Sequence, residues 1–297
     1  AGIRARTRAR AIDALPSVDD VPWAMLGTIP AALVTGSNGK TTTVRLIAAM
    51  LRAQGLRTAH SCTDGLFVGG GASDTAEVER LESGDYSGPT GARQLLRRTD
   101  VDAAVLETAR GGLLRRGLAL AGADVAVVTN ISADHFGEYG VHSVEDLAAV
   151  KLTVARAVAG ERASGGWLVL NAEDPLLRAQ GPQTAPRIAW FAIDDQALPA
   201  DAMALPRCAT RDGRLLLDDG VETLDLGAIA AMPLTLGGRA RHNIANIAAA
   251  ALAAMLMGVY VATIRTVLAE FGRSHADNPG RLQHWAFAGI EIFLDYA

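Results

Sequence analysis

Short apolar runs alternate with helical patterns along the first half of the chain. The runs are AALVT at 31–35, DAAVLE at 102–107, DVAVVTN at 124–130 and GWLVLN at 166–171. Patterns typical of helices separate them, at 41–54 and near 143–159. Strands that are apolar on both faces belong to parallel sheets covered by helices on each side. The pattern therefore predicts an α/β fold, a mostly parallel sheet with helices on both faces.

The pattern changes between residues 188 and 236. The segment ATRDGRLLLDDGVETLDL places Asp-Gly turns between short β-like runs, which predicts a small antiparallel β insertion in the main domain. A helical pattern then returns at 242–271, with Gly258 between two helices. The run 247–264 is long enough for a transmembrane helix, but Gly258 and the preceding polar RHNIAN favour buried helices.

Two boundaries divide the chain into three parts. Residues 1–27 are predicted to form an N-terminal linker, because no apolar signal segment follows the basic start and Pro16 and Pro22 interrupt it. Residues 28–274 form the central domain. The segment HADNPGRLQHW is typical of a boundary, and GIEIFLDYA has the pattern of a first strand. We therefore expect residues 275–297 to start a second, truncated α/β domain.

Composition and charge narrow the class of protein. Apolar residues make up 49% of the 297 residues, enough for a sizeable core. The net charge of −4 gives no overall field that would attract nucleic acid or anionic lipid, so we expect neither as a partner. Cys62 and Cys208 are too few for a disulfide framework or a four-cysteine zinc site, which favours a reduced, cytoplasmic protein.

The segment TGSNGKTT follows a predicted strand and opens a predicted helix. Glycines in such a loop let backbone N–H groups approach phosphates, and the helix N-terminus favours negative charge. Lys40 would place a compact charge at the β- and γ-phosphates, and Thr41 would offer a hydroxyl to Mg²⁺. The strict pattern G-x-x-x-x-G-K-[ST] fails at Val34, yet Gly36 and Gly39 remain. We interpret the segment as a P-loop; the alternative is an ordinary strand–turn–helix corner.

Four further polar residues lie at or just beyond the ends of predicted strands or on the helix that follows. Glu107 ends one strand, Asp134 and His135 lie just beyond the next, and Lys151 lies on the following helix. Each alone is also explained as a strand-end carboxylate, a capping residue or a solvated lysine. Because the carboxyl ends of parallel strands meet at one edge of a sheet, the set together indicates a metal site for phosphoryl transfer beside the P-loop.

Six motifs occur in a fixed order: GSNGKTT, LETARGG, NISADH, the lysine at 151, LVLNAEDP and RHNIAN. In this order and wording the chain resembles the Mur ligases, which form amide bonds with ATP. The resemblance covers about residues 30–296, and LETARGG and GDYSGPTGAR are most similar to the Mur-like half of cyanophycin synthetase. It implies that residues 28–274 are a central, ATP-binding domain of this family and that 275–297 begin its C-terminal ligase domain.

The resemblance also implies roles for individual residues. Thr41 and Glu107 would hold the Mg²⁺ that bridges the β- and γ-phosphates, and His135 with a carbamylated Lys151 would hold a second ion. Lys40, Glu107, His135 and Lys151 would be the catalytic set. The residues implied to contact ATP are Gly36, Ser37, Asn38, Gly39, Lys40, Thr41, Thr42, Asn243, Arg281 and Asp295. For His242 and Asn243, capping of a helix N-terminus is an alternative.

Lysine occurs at only two positions, 40 and 151, among 28 basic residues. Carbamylation needs a neutral primary amine, which the guanidinium of arginine does not provide. The carbamate is an oxygen-donor anion that suits Mg²⁺. Lys151 is therefore a residue that arginine cannot replace if the resemblance holds.

The implied activity is an ATP- and Mg²⁺-dependent, ADP-forming ligase that joins a carboxylate to an amine through an acyl phosphate. An amino acid would supply the amine, and Arg93 and Arg110 could face an anionic acceptor. A nucleotide-binding scaffold with little turnover is one alternative. A Mur-like amidotransferase partner is another, although two cysteines exclude the four-cysteine zinc insertion typical of that class. The sequence does not indicate an oligomeric state.

Overall fold

A computed structural model of the chain describes residues 29–71, 78–133, 137, 139–159 and 165–296. The strands are β1 (Ala31–Thr35), β2 (Thr58–Cys62), β3 (Gly65–Gly69), β4 (Val78–Ser83), β5 (Ala103–Glu107), β6 (Val125–Val128), β7 (Trp167–Asn171), β8 (Ile188–Asp194), β9 (Arg207–Arg211), β10 (Arg214–Asp218), β11 (Thr223–Ala228), β12 (Gln283–Phe287) and β13 (Ile290–Leu294). The helices are α1 (Lys40–Ala53), α2 (Pro89–Leu96), α3 (Arg110–Arg116), α4 (Val144–Leu152), α5 (Ala155–Val158), α6 (Pro175–Gln180), α7 (Arg241–Leu256) and α8 (Val261–Glu270).

Eleven of the described strands form one sheet in the order β11-β10-β9-β8-β7-β6-β1-β5-β2-β3-β4. From β2 across to β9 every pair of neighbours is parallel. The strand β1 lies between β5 and β6, so the loops that follow these three strands emerge side by side at one edge. The predicted α/β class is thus confirmed, and this edge is the place where a parallel sheet presents ligands.

Alternation along the central strand divides the core into two layers. In β1, Ala32 and Val34 pack with one layer, which contains α1, α7 and α8, whereas Leu33 packs with the other. The second layer contains buried residues of α2, α4, α5 and α6. Because successive side chains of a strand point to opposite faces, both layers need apolar residues, and the run AALVT supplies them.

Antiparallel strands extend both ends of the parallel sheet. The strands β10 and β11 form the antiparallel hairpins predicted within 188–236, but they continue the main sheet through β9, and β8 is itself parallel to β7. At the other end β3 pairs antiparallel with β2 and β4 pairs antiparallel with β3, a meander that the apolar pattern did not indicate. The helix expected near 143–159 is divided into α4 and α5.

The helices predicted within 242–271 and the strand predicted in GIEIFLDYA are present, whereas β12, which begins in the predicted boundary segment, was not predicted. The helices α7 and α8 flank Gly258, whose φ is 88°, and within the described residues no helix is long and apolar enough to cross a membrane. The strands β12 and β13 form a separate two-stranded antiparallel sheet. The predicted linker at 1–27 lies outside the described residues.

Candidate nucleotide-binding site

The segment between β1 and α1 is a glycine-dependent loop. Gly36 and Gly39 have φ values of 141° and 83°, which side chains rarely adopt. A Cβ atom on Gly36 would lie 1.8 Å from Thr129 Oγ1, and one on Gly39 would lie 2.1 Å from Asn246 Oδ1. Thr129 and Asn246 therefore contact the loop from two sides, and only glycine leaves room for them.

The start of α1 presents donors and positive charge. Its N-cap is Gly39; among the described residues no side chain caps the helix, and its first turn has no acidic residue. The first N–H groups of a helix lack intrahelical partners, so this end is suited to an anion. The Lys40 Nζ donates to Ser37 O at 2.8 Å, which holds the ammonium against the loop.

The loop after β6 braces the P-loop through backbone and side-chain hydrogen bonds. Ser37 N donates to Asn130 O at 2.9 Å, and Asn38 N donates to Asn130 Oδ1 at 3.0 Å. Thr129 Oγ1 donates to Asn38 O at 2.6 Å, and Ser132 N donates to Ser37 Oγ at 3.0 Å. The shape of the P-loop is therefore fixed by its neighbour before any ligand binds.

The LVLNAEDP motif supports that neighbouring loop from the next strand. Asn171 Nδ2 donates to Thr129 O at 2.9 Å. Asp174 accepts from Ile131 N at 2.6 Å with one oxygen and from Leu176 N, the start of α6, at 3.0 Å with the other. Asn171 and Asp174 thus connect β7 and α6 to the loop after β6.

Glu107 lies at the end of β5 beside the P-loop. Its side chain is 1% exposed, and it accepts hydrogen bonds from Thr41 Oγ1 at 2.8 Å and from Thr63 Oγ1 at 3.1 Å. Burial raises the pKa of the Glu107 carboxyl above its usual range, while the Lys40 ammonium and the two hydroxyls lower it. A carboxylate and a hydroxyl are hard oxygen donors, so this pair fits Mg²⁺.

The second predicted metal position is described only in part. His135 and the adjacent Asp134 lie outside the described residues. Lys151, in the last turn of α4, is 2% exposed, and it does not line the cavity described below. Among the described residues, no group of three or more His, Cys, Asp or Glu side chains could hold a metal ion. The roles of His135 and Lys151 stay predictions.

The RHNIAN motif forms another wall of the site. Asn243 is buried, donates to Leu234 O at 3.0 Å and accepts from Asn246 Nδ2 at 3.2 Å. The N-cap of α7 is Ala240, and no described side chain caps this helix, so the alternative role of His242 and Asn243 as caps is not adopted. Asn246, which contacts Gly39, was not singled out by sequence because the close approach depends on the packing of α7 against the P-loop.

The C-terminal hairpin brings Arg281 and Asp295 to the opposite wall. The Arg281 guanidinium donates to Tyr296 O at 2.9 Å and lies over the Tyr296 ring. Asp295 Oδ1 accepts from Leu282 N at 3.2 Å. These contacts fix both side chains at the end of the hairpin, facing the P-loop across a cavity.

That cavity has a volume of about 720 Å³. The predicted site residues that line it are Ser37, Asn38, Gly39, Lys40, Thr41, Thr42, Glu107, Asn243, Arg281 and Asp295. Thr63 and Thr129 also line it and were not predicted, since nothing in their local sequence marks them. Asn246, the last residue of the RHNIAN motif, lines it as well, although no role was predicted for it. Arg93 donates to Arg116 O and Leu118 O at 3.4 Å each, and neither Arg93 nor Arg110 lines the cavity.

The sheet order and the loop at the end of β1 define an α/β protein of the P-loop type. More specifically, the chain belongs to the Mur ligase family: the family profile described as the Mur ligase middle domain matches residues 34–254. The family resemblance seen in the six motifs is thereby confirmed.

Relatives and solved structures agree with this assignment. Cyanophycin synthetase from Crocosphaera subtropica is 36% identical over 275 residues, 91% of this chain and 30% of the relative. The UDP-N-acetylmuramoylalanine–D-glutamate ligase of Solibacter usitatus is 31% identical over 80% of this chain and 43% of the relative. A pseudomurein peptide ligase type C from Methanothermus fervidus has a similar fold, with a TM-score of 0.62 and 21% identity over 91% of this chain and 54% of that one. The chain therefore spans less than half the length of these sequence relatives.

Proposed function

We propose that this chain is the ATP-binding part of an ADP-forming ligase that joins a carboxylate to an amine. The observation that carries the proposal is the pairing of Thr41 with the buried Glu107 at the mouth of the P-loop. This pairing places a hydroxyl and a carboxylate where a nucleotide's terminal phosphates would reach the start of α1. The names of the sequence relatives, a synthetase and an acid–amino-acid ligase, support the same chemistry.

In the proposed reaction a carboxylate oxygen of the acceptor attacks the γ-phosphorus of ATP, and the bond to the β-phosphate oxygen breaks, releasing ADP. The nitrogen of the amine then attacks the acyl carbon, loses a proton, and displaces inorganic phosphate. The chain's own residues bind and orient: the P-loop amides and Lys40 hold the phosphates, and Arg281 and Asp295 contact the nucleotide from the hairpin. Positioning and charge neutralisation account for most of the rate of such transfers.

We infer that Thr41 and Glu107 hold one Mg²⁺, and that His135 with a carbamylated Lys151 holds a second. When bound, Mg²⁺ neutralises negative charge on the phosphates. Glu107 is oriented for this task by Thr41 and Thr63, and its burial excludes water from the carboxylate. A carbamate on the buried Lys151 would likewise be shielded from bulk water.

We also propose the domain division 1–27, 28–274 and 275–297, with the last part as the start of a C-terminal ligase domain. In the described part of the chain, β12 and β13 pair only with each other. Phe287 and Ile290 are 75% and 62% exposed there, and a contiguous apolar surface of this kind normally packs against further structure. A cytoplasmic location is consistent with the free, buried Cys62 and Cys208.

The test is ADP and phosphate release by the full chain with Mg²⁺ and ATP, across a panel of amino acids and acidic acceptors. Amide products are identified by mass spectrometry. With the acceptor carboxylate labelled with heavy oxygen, one labelled oxygen should appear in the released phosphate, because the acyl phosphate loses that oxygen to the leaving group. The Lys40→Ala variant measures background hydrolysis. Tight nucleotide binding without turnover for any pair would instead favour the scaffold alternative.

A further inference from the structure

Asn278 is bound to the P-loop helix α1 by both ends of its side-chain amide. Its Nδ2 donates to Thr42 Oγ1 at 3.2 Å, and its Oδ1 accepts from Arg45 NH1 at 3.1 Å. The same Arg45 nitrogen donates to Pro279 O at 3.2 Å. Asn278 is 4% exposed, so these bonds are shielded from water. The segment that precedes the C-terminal hairpin is therefore fixed on the first two turns of α1.

The other end of the Arg45 guanidinium leads to Glu107. Arg45 NH2 donates to Asp64 Oδ2 at 2.6 Å in an ion pair, and Arg45 is 5% exposed. Asp64 follows Thr63, whose hydroxyl donates to Glu107 Oε1 at 3.1 Å. The short turn between β2 and β3 thus holds Glu107 through Thr63 and Arg45 through the next residue, Asp64. The connection from Glu107 to Asn278 is continuous.

The fixed segment sets the position of the cavity wall. Arg281 N donates to Asn278 O at 3.2 Å, and Tyr296 N donates to Gly280 O at 2.9 Å. Gly280 has a φ of 71°, and a Cβ on it would lie 2.2 Å from the Tyr296 ring. Arg281 lies just before β12 and Tyr296 just after β13, and Arg281 in turn donates to Tyr296 O. A shift of Asn278 would therefore move both the start of β12 and the end of β13, which face the P-loop.

Arginine is the side chain that this junction requires. Its planar fork reaches Asn278, Pro279 and Asp64 at once, whereas the single ammonium of lysine cannot copy that arrangement. Burial of a charge costs free energy, and a packed apolar side chain would serve stability alone equally well. A buried arginine that joins α1, the turn at Asp64 and the segment at Asn278 therefore indicates a role in fixing the positions of these three segments relative to one another.

We propose that Arg45 and Asn278 are positioning residues that couple the occupied nucleotide site to the seating of residues 278–296. They hold Arg281 and Asp295 in one defined position relative to a nucleotide bound at the P-loop. Neither residue lines the cavity. The inference rests on the proposed function, and the test distinguishes failure of the coupling from failure of the proposed function.

The test measures hydrogen–deuterium exchange of residues 281–296 in the full chain, with and without Mg²⁺ and a non-hydrolysable ATP analogue. Asn278→Ala and Arg45→Lys are compared with Arg207→Lys. Arg207 is a matched control because it forms a comparably buried ion pair with Asp218, at 2.5 Å, on the far arm of the sheet. In the wild type and the control, the analogue should slow exchange in 281–296. In the two test variants most of this protection should be lost.

Turnover gives a second measurement. We expect it to fall about 100-fold in Asn278→Ala, the size of effect that a misplaced binding group produces, while analogue affinity by calorimetry changes by less than about tenfold. If Arg45 and Asn278 had a merely structural role, the Tm of all three variants would fall. The nucleotide-dependent protection of residues 281–296 would then not be lost selectively in Asn278→Ala and Arg45→Lys. Asn278→Asp keeps the acceptor for Arg45 but loses the donor to Thr42, so it should be intermediate.

Protection that is equal in all variants would overturn the coupling and leave the proposed function standing. Absence of any nucleotide binding by the wild type would overturn both. If Arg45→Lys fails to fold, Asn278→Ala decides alone, because it removes only a neutral amide.

Discussion

The Thr41 hydroxyl donates a 2.8 Å hydrogen bond to Glu107 Oε2 and so joins the P-loop to the end of β5 across 66 residues of sequence. Thr63 donates to the other carboxylate oxygen. Both bonds stabilise the ionised form, yet burial has the larger effect and raises the pKa of Glu107. Without a bound cation the ionised form of Glu107 is therefore less favourable in the folded chain than in the unfolded chain.

Glu107→Gln should raise the Tm of the ligand-free chain at neutral pH and abolish turnover. Glutamine keeps an acceptor for one hydroxyl but removes the buried charge. Loss of a metal ligand should remove several kcal/mol of transition-state stabilisation, so turnover should fall by more than about 100-fold. Differential scanning calorimetry without Mg²⁺ measures the Tm, and the ADP-release assay measures turnover.

The same variant has a defined pH dependence. A carboxyl with a raised folded-state pKa contributes stability below its unfolded pKa, and that contribution is lost as pH rises through the folded pKa. The Tm gap between Glu107→Gln and wild type should therefore shrink as pH falls from neutral towards the ordinary glutamate value of about 4.3. Glu79→Gln, on the exposed strand β4, is the control and should leave Tm unchanged at every pH. A gap that grows on acidification would contradict the assignment.

Gly39→Ala should damage the P-loop more than its backbone strain alone explains. Gly39 and Gly55 have similar φ values of 83° and 94°, but a Cβ on Gly55 meets nothing within 4 Å, whereas one on Gly39 meets Asn246. Gly55→Ala should cost about 1–2 kcal/mol of strain and leave nucleotide affinity intact. Gly39→Ala should cost more and lower affinity, and adding Asn246→Ala should restore part of the loss. Urea unfolding and calorimetric titration measure both quantities.

The sequence allowed prediction of the elements whose pattern is local. Strands β1, β5, β6 and β7 are nearly continuous apolar runs, and the P-loop has its own glycine and lysine spacing. The strand β2, TAHSC, is fully buried although three of its five residues are polar, so its burial depends on α1 and β3 packed against it. Periodicity carries no signal for such a strand.

The site partners were missed for a similar reason. Thr129 and Asn246 reach the P-loop only because Gly36 and Gly39 lack side chains, and Asn278 reaches Thr42 across 236 residues. Such contacts follow from tertiary packing and leave no periodic trace in sequence. Glu107 could be found because its strand end is visible as the boundary of an apolar run.

Lys40→Ala should weaken nucleotide binding with little effect on the fold. In the described part of the chain the Lys40 ammonium donates to Ser37 O and forms no ion pair, so its removal breaks no buried ion pair there. A hydrogen bond to a charged group contributes about 1.5–3 kcal/mol, which corresponds to roughly a 10- to 150-fold increase in Kd. Titration calorimetry with ADP and an ATP analogue measures the change. An unaltered Kd would remove Lys40 from the phosphate site.

Lys151, the other lysine, should separate turnover from binding. Lys151→Ala leaves the P-loop untouched, so it should bind ATP normally yet lose most turnover if a carbamate at this position holds the second ion. Acetate should restore part of the activity of Lys151→Ala by supplying the missing carboxylate, whereas Lys151→Arg should stay inactive because a guanidinium does not react with CO₂. Mass spectrometry of the native chain in bicarbonate buffer should show added CO₂ in wild type and not in Lys151→Arg. Near-normal turnover by Lys151→Arg would show that the position needs only a positive charge, and the carbamate would be ruled out.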